Sequence, residues 1–247
     1  MLGTLYGIGT GPGEPELMTL KAVRLVRECD VVAIPISSRE AAKEPVLWEA
    51  GEISEEVTAG CVAYQIVLPN VPEMKEKPVL CLPMPMCKEK ERLKAIHDLG
   101  AERVAKLLRE GKNVCFLTLG DPTVYSTYLY VHKRIQAMGL PVEIVSGIPS
   151  FCAVAAKHGI GLVENKEALH VIPSSYGVEE ALTLSGTKVL MKAGKKMAEV
   201  KEEIQKAGQS FYMTENCGMP KERMYTDIKE VPEDAGYYSL IIVKEEK

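Results

Sequence analysis

The chain has 247 residues, a net charge of −4 and an apolar fraction of 46 %, values of an ordinary globular protein with room for a substantial core. That balance argues against a general affinity for nucleic acid or anionic membrane, and no apolar run approaches the length of a membrane span. Met1-Leu2-Gly3-Thr4 lacks a basic stretch followed by an apolar one, so no signal peptide and a cytoplasmic location are expected.

Taken in chain order, short apolar β-type runs alternate with longer amphipathic ones. Thr4–Ile8 reads as a strand leading into a glycine-rich loop, Leu17–Glu28 as a helix and Asp30–Ile36 as a strand covered on both faces. Leu68–Pro85 is proline-rich, poor as a helix or a central strand, and is expected to be an irregular or edge segment, a candidate lid or substrate wall. Glu89–Glu110 reads as a helix with Gly111 ending it. The charged run Lys88–Lys94 is most simply its solvated start. Asn113–Leu119 is a buried strand, Val124–Met138 a helix, Val142–Val145 a strand and Ser150–His158 a small-residue helix stopped by Gly159. Ala168–Ile172, Lys188–Lys192 and Ser210–Thr214 are strand-like, with a helix at Lys196–Ala207, and Tyr238–Val243 closes the chain as a strand. Such alternation predicts an α/β fold with largely parallel sheets. The boundary is expected after Leu119, giving residues 1–119 and 120–247 as two αβα halves.

Seven cysteines, Cys29, Cys61, Cys81, Cys87, Cys115, Cys152 and Cys217, are irregularly spaced and show no C-x-x-C pair. Reduced, mostly buried thiols are the simplest reading. Cys81 and Cys87 lack a neighbouring third ligand for a metal. His97, His132, His158 and His170 are scattered and read as surface or packing residues, and neither G-x-S-x-G nor H-E-x-x-H occurs.

Four strand-end loops carry the chemistry. In Gly7-Ile8-Gly9-Thr10-Gly11-Pro12-Gly13 the glycines permit positive φ and close ligand approach. The spacing departs from G-x-G-x-x-G, Pro12 removes an amide, and no lysine follows to meet a phosphate. A tight turn, a phosphate cradle and a phosphate-free cofactor site all remain open for this loop. Leu119–Thr127 lies where open α/β sheets bind ligands. Asp121-Pro122 there suits a helix N-cap and N1, or Asp121 holds a ribose hydroxyl or an ammonium group. Ser150, in Ser146–Phe151, either caps a helix or meets an adenine edge. Met191, in Met191–Gly194, taken alone, reads as core.

In this order the four loops resemble the tetrapyrrole (uroporphyrinogen and precorrin) methylases. Gly7–Pro15 resembles that family's G-x-G-P-G-x-P loop, Gly120-Asp121-Pro122-x-x-Tyr125 its G-D-P-x-x-Y segment and Ser146–Phe151 its P-G-x-x-S-F element, with Ser146 in place of Pro. Met191–Gly194 and Met213-Thr214-Glu215-Asn216 are similar to its later strands, with Cys217 where relatives often have Ala. Pro83-Met84-Pro85-Met86, Phe116–Pro122, Tyr125-Ser126-Thr127 and Met191–Lys195 are most similar to the precorrin-2 or cobalt-factor II C(20)-methyltransferase subgroup. The resemblance covers nearly the whole chain. It implies two αβα domains with the active site in the cleft between them, a homodimer, and S-adenosylmethionine as methyl donor, leaving as S-adenosylhomocysteine. It implies cofactor contacts at Pro12, Gly120, Asp121, Val124, Tyr125, Ser150, Phe151, Met191, Asn216 and Ser239, and a tetrapyrrole facing Gly9, Gly11 and Gly13. No metal ligand and no nucleic-acid or membrane partner is implied. Asp121 and Tyr125 are the candidates for taking the proton that methylation releases, and the sequence does not choose between them and solvent. Two other readings stay open: a methylase of this fold acting at another precorrin position or on a non-tetrapyrrole acceptor, and a non-catalytic nucleotide-binding α/β module.

Overall fold

The computed structural model describes residues 1–37, 44–85, 89–173, 178–192 and 197–245. Met86, Cys87, Lys88 and Ala193–Lys196, named in the sequence motifs, lie outside the described residues. The chain divides into two compact units, Met1–Pro149 and Ser150–Lys247.

The first unit is built on strands β1 (Leu5–Gly9), β2 (Val31–Ile36), β3 (Val46–Trp48), β4 (Val79–Pro83), β5 (Val114–Thr118) and β6 (Val142–Val145), in the order β3-β4-β2-β5-β1-β6. All neighbours pair in parallel except β3 with β4. The helices are α1 (Leu20–Glu28), α2 (Glu55–Ala59), α3 (Val62–Val67), α4 (Lys90–Arg109) and α5 (Tyr128–Ala137). Because side chains alternate across a strand, the sheet feeds two cores. Ile8, Val32, Ile34, Cys115 and Leu117 pack with Leu25 of α1 and Val67 of α3. Leu5, Val31, Ala33, Leu80, Leu82 and Phe116 pack with Val104 and Leu108 of α4 and Val131 and Ile135 of α5. Both faces are thus covered, which is why these strands read as unbroken apolar runs.

Capping sets the helix bounds. Thr19 Oγ1 accepts from Ala22 N at 3.2 Å, so α1 starts at Leu20, behind a short 3₁₀ turn at Pro15–Leu17. Helix α4 ends as its sequence predicts. Gly111 takes φ 83°, its N–H bonds Leu108 O, and Lys112 N bonds Leu107 O, closing the last turn.

The second unit contains β7 (Leu169–Pro173), β8 (Thr187–Met191), β9 (Ser210–Glu215), β10 (Arg223–Tyr225) and β11 (Ser239–Lys244), in the order β10-β9-β11-β8-β7, with α6 (Ser150–Lys157), α7 (Val178–Leu182) and α8 (Met197–Ala207). Only β7 and β8 are parallel; the other three pairings are antiparallel. Its core joins Leu190, Met213, Ile241 and Val243 to Val178, Leu182, Val200 and Ile204.

Three sequence expectations change. Largely parallel pairing holds for the first sheet and fails for the second. The expected boundary after Leu119 falls inside the first unit, because α5 and β6 complete that unit's sheet. The proline-rich stretch contains an interior strand rather than an edge: β4 lies between β3 and β2 and is fully buried. Its prolines stand at the margins, Pro78 just before the strand and Pro83 as its last residue, so Val79-Leu80-Cys81-Leu82 keeps its ladder donors. Cys81 is buried there, and desolvation raises its thiol pKa to about 11, the opposite of what a metal-binding thiolate needs. Among the described residues, no helix is long and apolar enough to cross a membrane, and no cluster of His, Cys, Asp or Glu could hold a metal ion.

In the second unit, Glu167 fastens the segment before β7 to two strands. Its carboxylate accepts from Thr187 Oγ1 at 2.6 Å, Glu164 N at 3.0 Å and Lys244 Nζ at 3.3 Å. The Thr187 bond, then the Glu164 amide and Lys244, hold its pKa below the ordinary 4.5. A carboxylate whose folded pKa is depressed stabilises the fold above the unfolded value and loses that contribution as pH falls through the folded one. Thermal melts should therefore fall on acidification below pH 4.5, and Glu167→Gln should flatten that slope while lowering the neutral-pH melting temperature. An unchanged slope would remove Glu167 from the acid response.

Candidate active site

Strands β5, β1 and β6 are neighbours, and their register pairs Gly9 with Thr118 and Ile8 with Val145. Their carboxyl ends therefore release three loops side by side: Thr10–Gly13, Leu119–Thr127 and Ser146–Pro149. The loops are laced backbone to backbone. Thr10 N and Oγ1 donate to Thr118 O at 3.0 and 3.1 Å. Gly120 N donates to Gly11 O at 2.8 Å and Gly11 N to Gly120 O at 3.3 Å, an isolated antiparallel bridge.

This lacing explains the glycines. A Cβ on Gly7 would lie 2.1 Å from the Tyr128 ring, one on Gly9 2.5 Å from Gly147 N, and one on Gly147 2.2 Å from Gly120 O. Gly11 and Gly120 take φ 79° and 71°, where only glycine is unstrained. Gly120 differs from the others: no atom lies within 4 Å of the place its Cβ would occupy, so its backbone is open to approach. Pro12 and Gly13 are buried.

Asp121 is 8 % exposed and does not cap a helix as its sequence suggests. Its Oδ1 accepts from Thr123 N at 2.8 Å and from Thr123 Oγ1, closing a local turn, and its Oδ2 accepts from Gly147 N at 3.0 Å. The carboxylate thus ties the second loop to the third. The helix expected from Val124 begins only at Tyr128, where Ser126 Oγ accepts from Tyr128 N at 3.2 Å and bonds Thr118 Oγ1 at 2.8 Å. Between Asp121 and Ser126 the chain passes Val124, partly buried, and Tyr125, 48 % exposed and left-handed at φ 47°. A non-glycine residue in that region costs about 1–3 kcal/mol and marks sites where strain serves function. Tyr128 supports the loop from below. It is buried against Gly7 and Phe116, its hydroxyl donates to Glu143 O at 3.3 Å and bonds His132 Nδ1 at 2.9 Å, and desolvation pushes its pKa up.

In the second unit, Ser150 and Phe151 open α6 and are partly buried. Met191 ends β8, Asn216 follows β9 and Ser239 starts β11. The register Leu240–Met191 and Ser239–Glu215 puts these three at one end of the second sheet. Asn216 is left-handed at φ 51°, with its N donating to Tyr238 O at 3.1 Å and its Nδ2 to Lys221 O at 3.4 Å. Ser239 is buried and donates to Gly236 O at 2.7 Å.

Sequence reasoning missed the groups that fasten this end. Glu215 is buried, with Oε1 accepting from Gly236 N at 2.8 Å and Oε2 from Tyr225 Oη at 3.0 Å. His158 Nε2 lies 3.2 Å from Met213 O and 3.1 Å from Thr214 Oγ1, tying the end of α6 to β9. A charged residue closing the apolar run Phe211-Tyr212-Met213-Thr214-Glu215 was the available signal for the first; His158 offered none.

A family model described as tetrapyrrole (corrin/porphyrin) methylases matches residues 4–232. The "Probable cobalt-precorrin-2 C(20)-methyltransferase" of Methanocaldococcus jannaschii is 35 % identical over 76 % of this chain and 71 % of its own. The "Precorrin-2 C(20)-methyltransferase" of a Sinorhizobium species is 28 % identical over 98 % of this chain and 95 % of its own. Among solved structures, uroporphyrin-III C-methyl transferase from Thermus thermophilus, complexed with S-adenyl homocysteine, superposes with a TM-score of 0.64 at 24 % identity, covering 98 % of each chain.

Asp121→Asn keeps one accepting oxygen and turns the other into a donor, against either Gly147 N or the Thr123 pair, and Gly147→Ala drives a methyl into Gly120 O. Each should destabilise the fold by about 1–3 kcal/mol in urea titrations. Wild-type midpoints for both would show that the loops are not held by these contacts.

Proposed function

Because the chain belongs to the tetrapyrrole (corrin/porphyrin) methylases, a family whose model spans residues 4–232, we propose that it transfers a methyl group from S-adenosylmethionine to C20 of precorrin-2 or its cobalt complex, in cobalamin biosynthesis. The observation that carries this reading is the ordered set of strand-end loops on two sheets, together with relatives of that description matched over 76 and 98 % of this chain. The cofactor contacts are assigned to Pro12, Gly120, Asp121, Val124, Tyr125, Ser150, Phe151, Met191, Asn216 and Ser239, and Gly9, Gly11 and Gly13 to the tetrapyrrole side.

The residues suit such a cofactor. Pro12 withholds an amide, and no basic residue lies in Gly7–Gly13, so a phosphate is poorly served there. Gly120 leaves a Cβ-sized space against its backbone, and Asn216, Ser239 and their main chain offer neutral polar groups beside Met191, as a nucleoside requires. Bound S-adenosylmethionine supplies a sulfonium methyl that is already a good electrophile. The protein's task is then alignment, which is worth up to about 7–11 kcal/mol in well-oriented systems. The fastened glycine loops provide the rigid wall that alignment needs. Asp121 spends its oxygens on Thr123 and Gly147, which makes it a positioning residue. The proton released at the methylated carbon is assigned to a relay through Tyr125, half-exposed on the same loop: its hydroxyl oxygen takes that proton as its own proton passes to water. A homodimer in the cytoplasm completes the reading, on the strength of the family resemblance; light scattering of the purified chain tests the dimer.

Incubation with S-adenosylmethionine and each tetrapyrrole should give a product heavier by one methylene, and calorimetry should rank S-adenosylhomocysteine well above nucleotide phosphates. No transfer to either tetrapyrrole, with cofactor bound, would overturn the substrate and leave the family standing. Tyr125→Phe should lower kcat by about a hundredfold or more with little change in S-adenosylhomocysteine affinity; an unchanged kcat assigns the proton to solvent.

A further inference from the structure

The end of the second sheet holds a cation that the loop motifs do not explain. Lys192 follows the last residue of β8, is exposed, and takes a left-handed backbone at φ 61°. Its Nζ stands 5.7 Å from the centroid of the Tyr237 ring. The other lysine of this strand makes the contrast. Lys188, near the start of β8, is fully buried and bonds Gln209 Oε1 at 3.2 Å and Glu245 Oε1 at 3.4 Å. Among the described residues no carboxylate pairs with Lys192, which stands over the face of an aromatic ring instead. An aromatic face attracts a cation without neutralising it, so the ammonium keeps its capacity to bind an anion.

The support beneath it is built. Tyr237 sits in the turn Gly236–Ser239, pinned at both ends: Gly236 N donates to Glu215 Oε1 at 2.8 Å, Asn216 N to Tyr238 O at 3.1 Å, and Ser239 Oγ to Gly236 O at 2.7 Å. Tyr238 packs edge-on against Tyr237 at 5.3 Å. The register sets Met191 opposite Leu240, so Lys192 leaves β8 beside this turn and beside Met191, Asn216 and Ser239, the residues assigned to the cofactor. Two of the five described non-glycine residues with positive φ, Lys192 and Asn216, stand at this sheet end.

We propose that Lys192, positioned by Tyr237, binds a carboxylate of the reacting molecules. The inference rests on the methyltransferase reading above. Carboxylates enter that reaction from two sources, the amino-acid end of the cofactor and the acidic side chains of the tetrapyrrole. Both present the same chemistry to an ammonium, a charge-assisted hydrogen bond.

The test uses calorimetry on the full chain with S-adenosylhomocysteine and with 5′-methylthioadenosine, the same nucleoside thioether without the amino-acid end. If Lys192 holds the cofactor carboxylate, Lys192→Gln weakens S-adenosylhomocysteine about tenfold or more and leaves methylthioadenosine unchanged. Lys192→Arg recovers most of the loss, and Tyr237→Leu reproduces part of it while Tyr237→Phe does not. If Lys192 meets the tetrapyrrole, both nucleosides bind Lys192→Gln as they bind wild type, and KM for the tetrapyrrole rises with kcat retained. Equal weakening of both nucleosides, or no change in any of these measurements, overturns the proposal: Lys192 then only shapes the strand end. Wild-type protein that binds neither nucleoside refutes the cofactor reading itself, a result distinct from failure of the Lys192 variants.

Discussion

The close approach of Gly9, Gly120 and Gly147 is the constraint on which the first unit's candidate site depends. Three parallel strands release their loops at the same end, and the loops touch through backbone atoms where no side chain fits. Such contact leaves amides and carbonyls to be satisfied, and the structure satisfies them across loops: Gly11 with Gly120, Thr10 with Thr118, and Gly147 with the Asp121 carboxylate. A buried carboxylate is costly unless it accepts several hydrogen bonds. Asp121 meets that condition with donors from its own turn and from a loop 26 residues on. Its charge is spent on holding the loops together, and chemistry at this end passes to groups that the fastening does not consume.

The same contacts explain what was legible in the sequence. Strands buried on both faces announce themselves as apolar runs, so β1, β2 and β5 could be read within a residue or so of their bounds, and the half-buried edge strand β6 from its short β-branched run. Glycine signals were visible too, but their meaning was ambiguous. Gly7 and Gly9 looked like places for a ligand to approach, yet they make room for Tyr128 and Gly147, partners 121 and 138 residues away along the chain. Of the loop glycines Gly7, Gly9, Gly11, Gly120 and Gly147, Gly120 alone combines positive φ with open space. Local spacing carries no information about such distant partners, so the distinction exists only in the folded chain.

The remaining misreadings have local causes. Asp121-Pro122 has the chemistry of a helix start, but its carboxylate is drawn to Gly147 and the helix waits for Ser126. The prolines around β4 suggested an edge, whereas they stand at the strand's margins. The second sheet's antiparallel order left no trace in the alternation of strand and helix, because one helix between two strands is compatible with either sense of pairing once a long return connection is available. Short pieces such as β3, α2, α3, α7 and β10 were missed because a few residues give no reliable period.

The loop ends of the two sheets differ in chemistry. In the first unit the loop ends are fastened mainly by main chain, threonine and serine, with charge confined to the one engaged carboxylate. In the second unit the strand ends carry side chains with reach: Lys192 over Tyr237, Asn216 in a strained turn, and Glu215 bracing the turn before β11. Fastening of the first kind is indifferent to which acceptor arrives, because it faces inward to its own loops. Discrimination between acceptors needs groups whose free energy changes when a particular carboxylate or ring edge is present. Tyr125, Lys192 and Tyr237 are exposed polar or cationic side chains of that kind. Relatives that share the glycine loops while differing in acceptor are therefore expected to diverge at positions of this second kind.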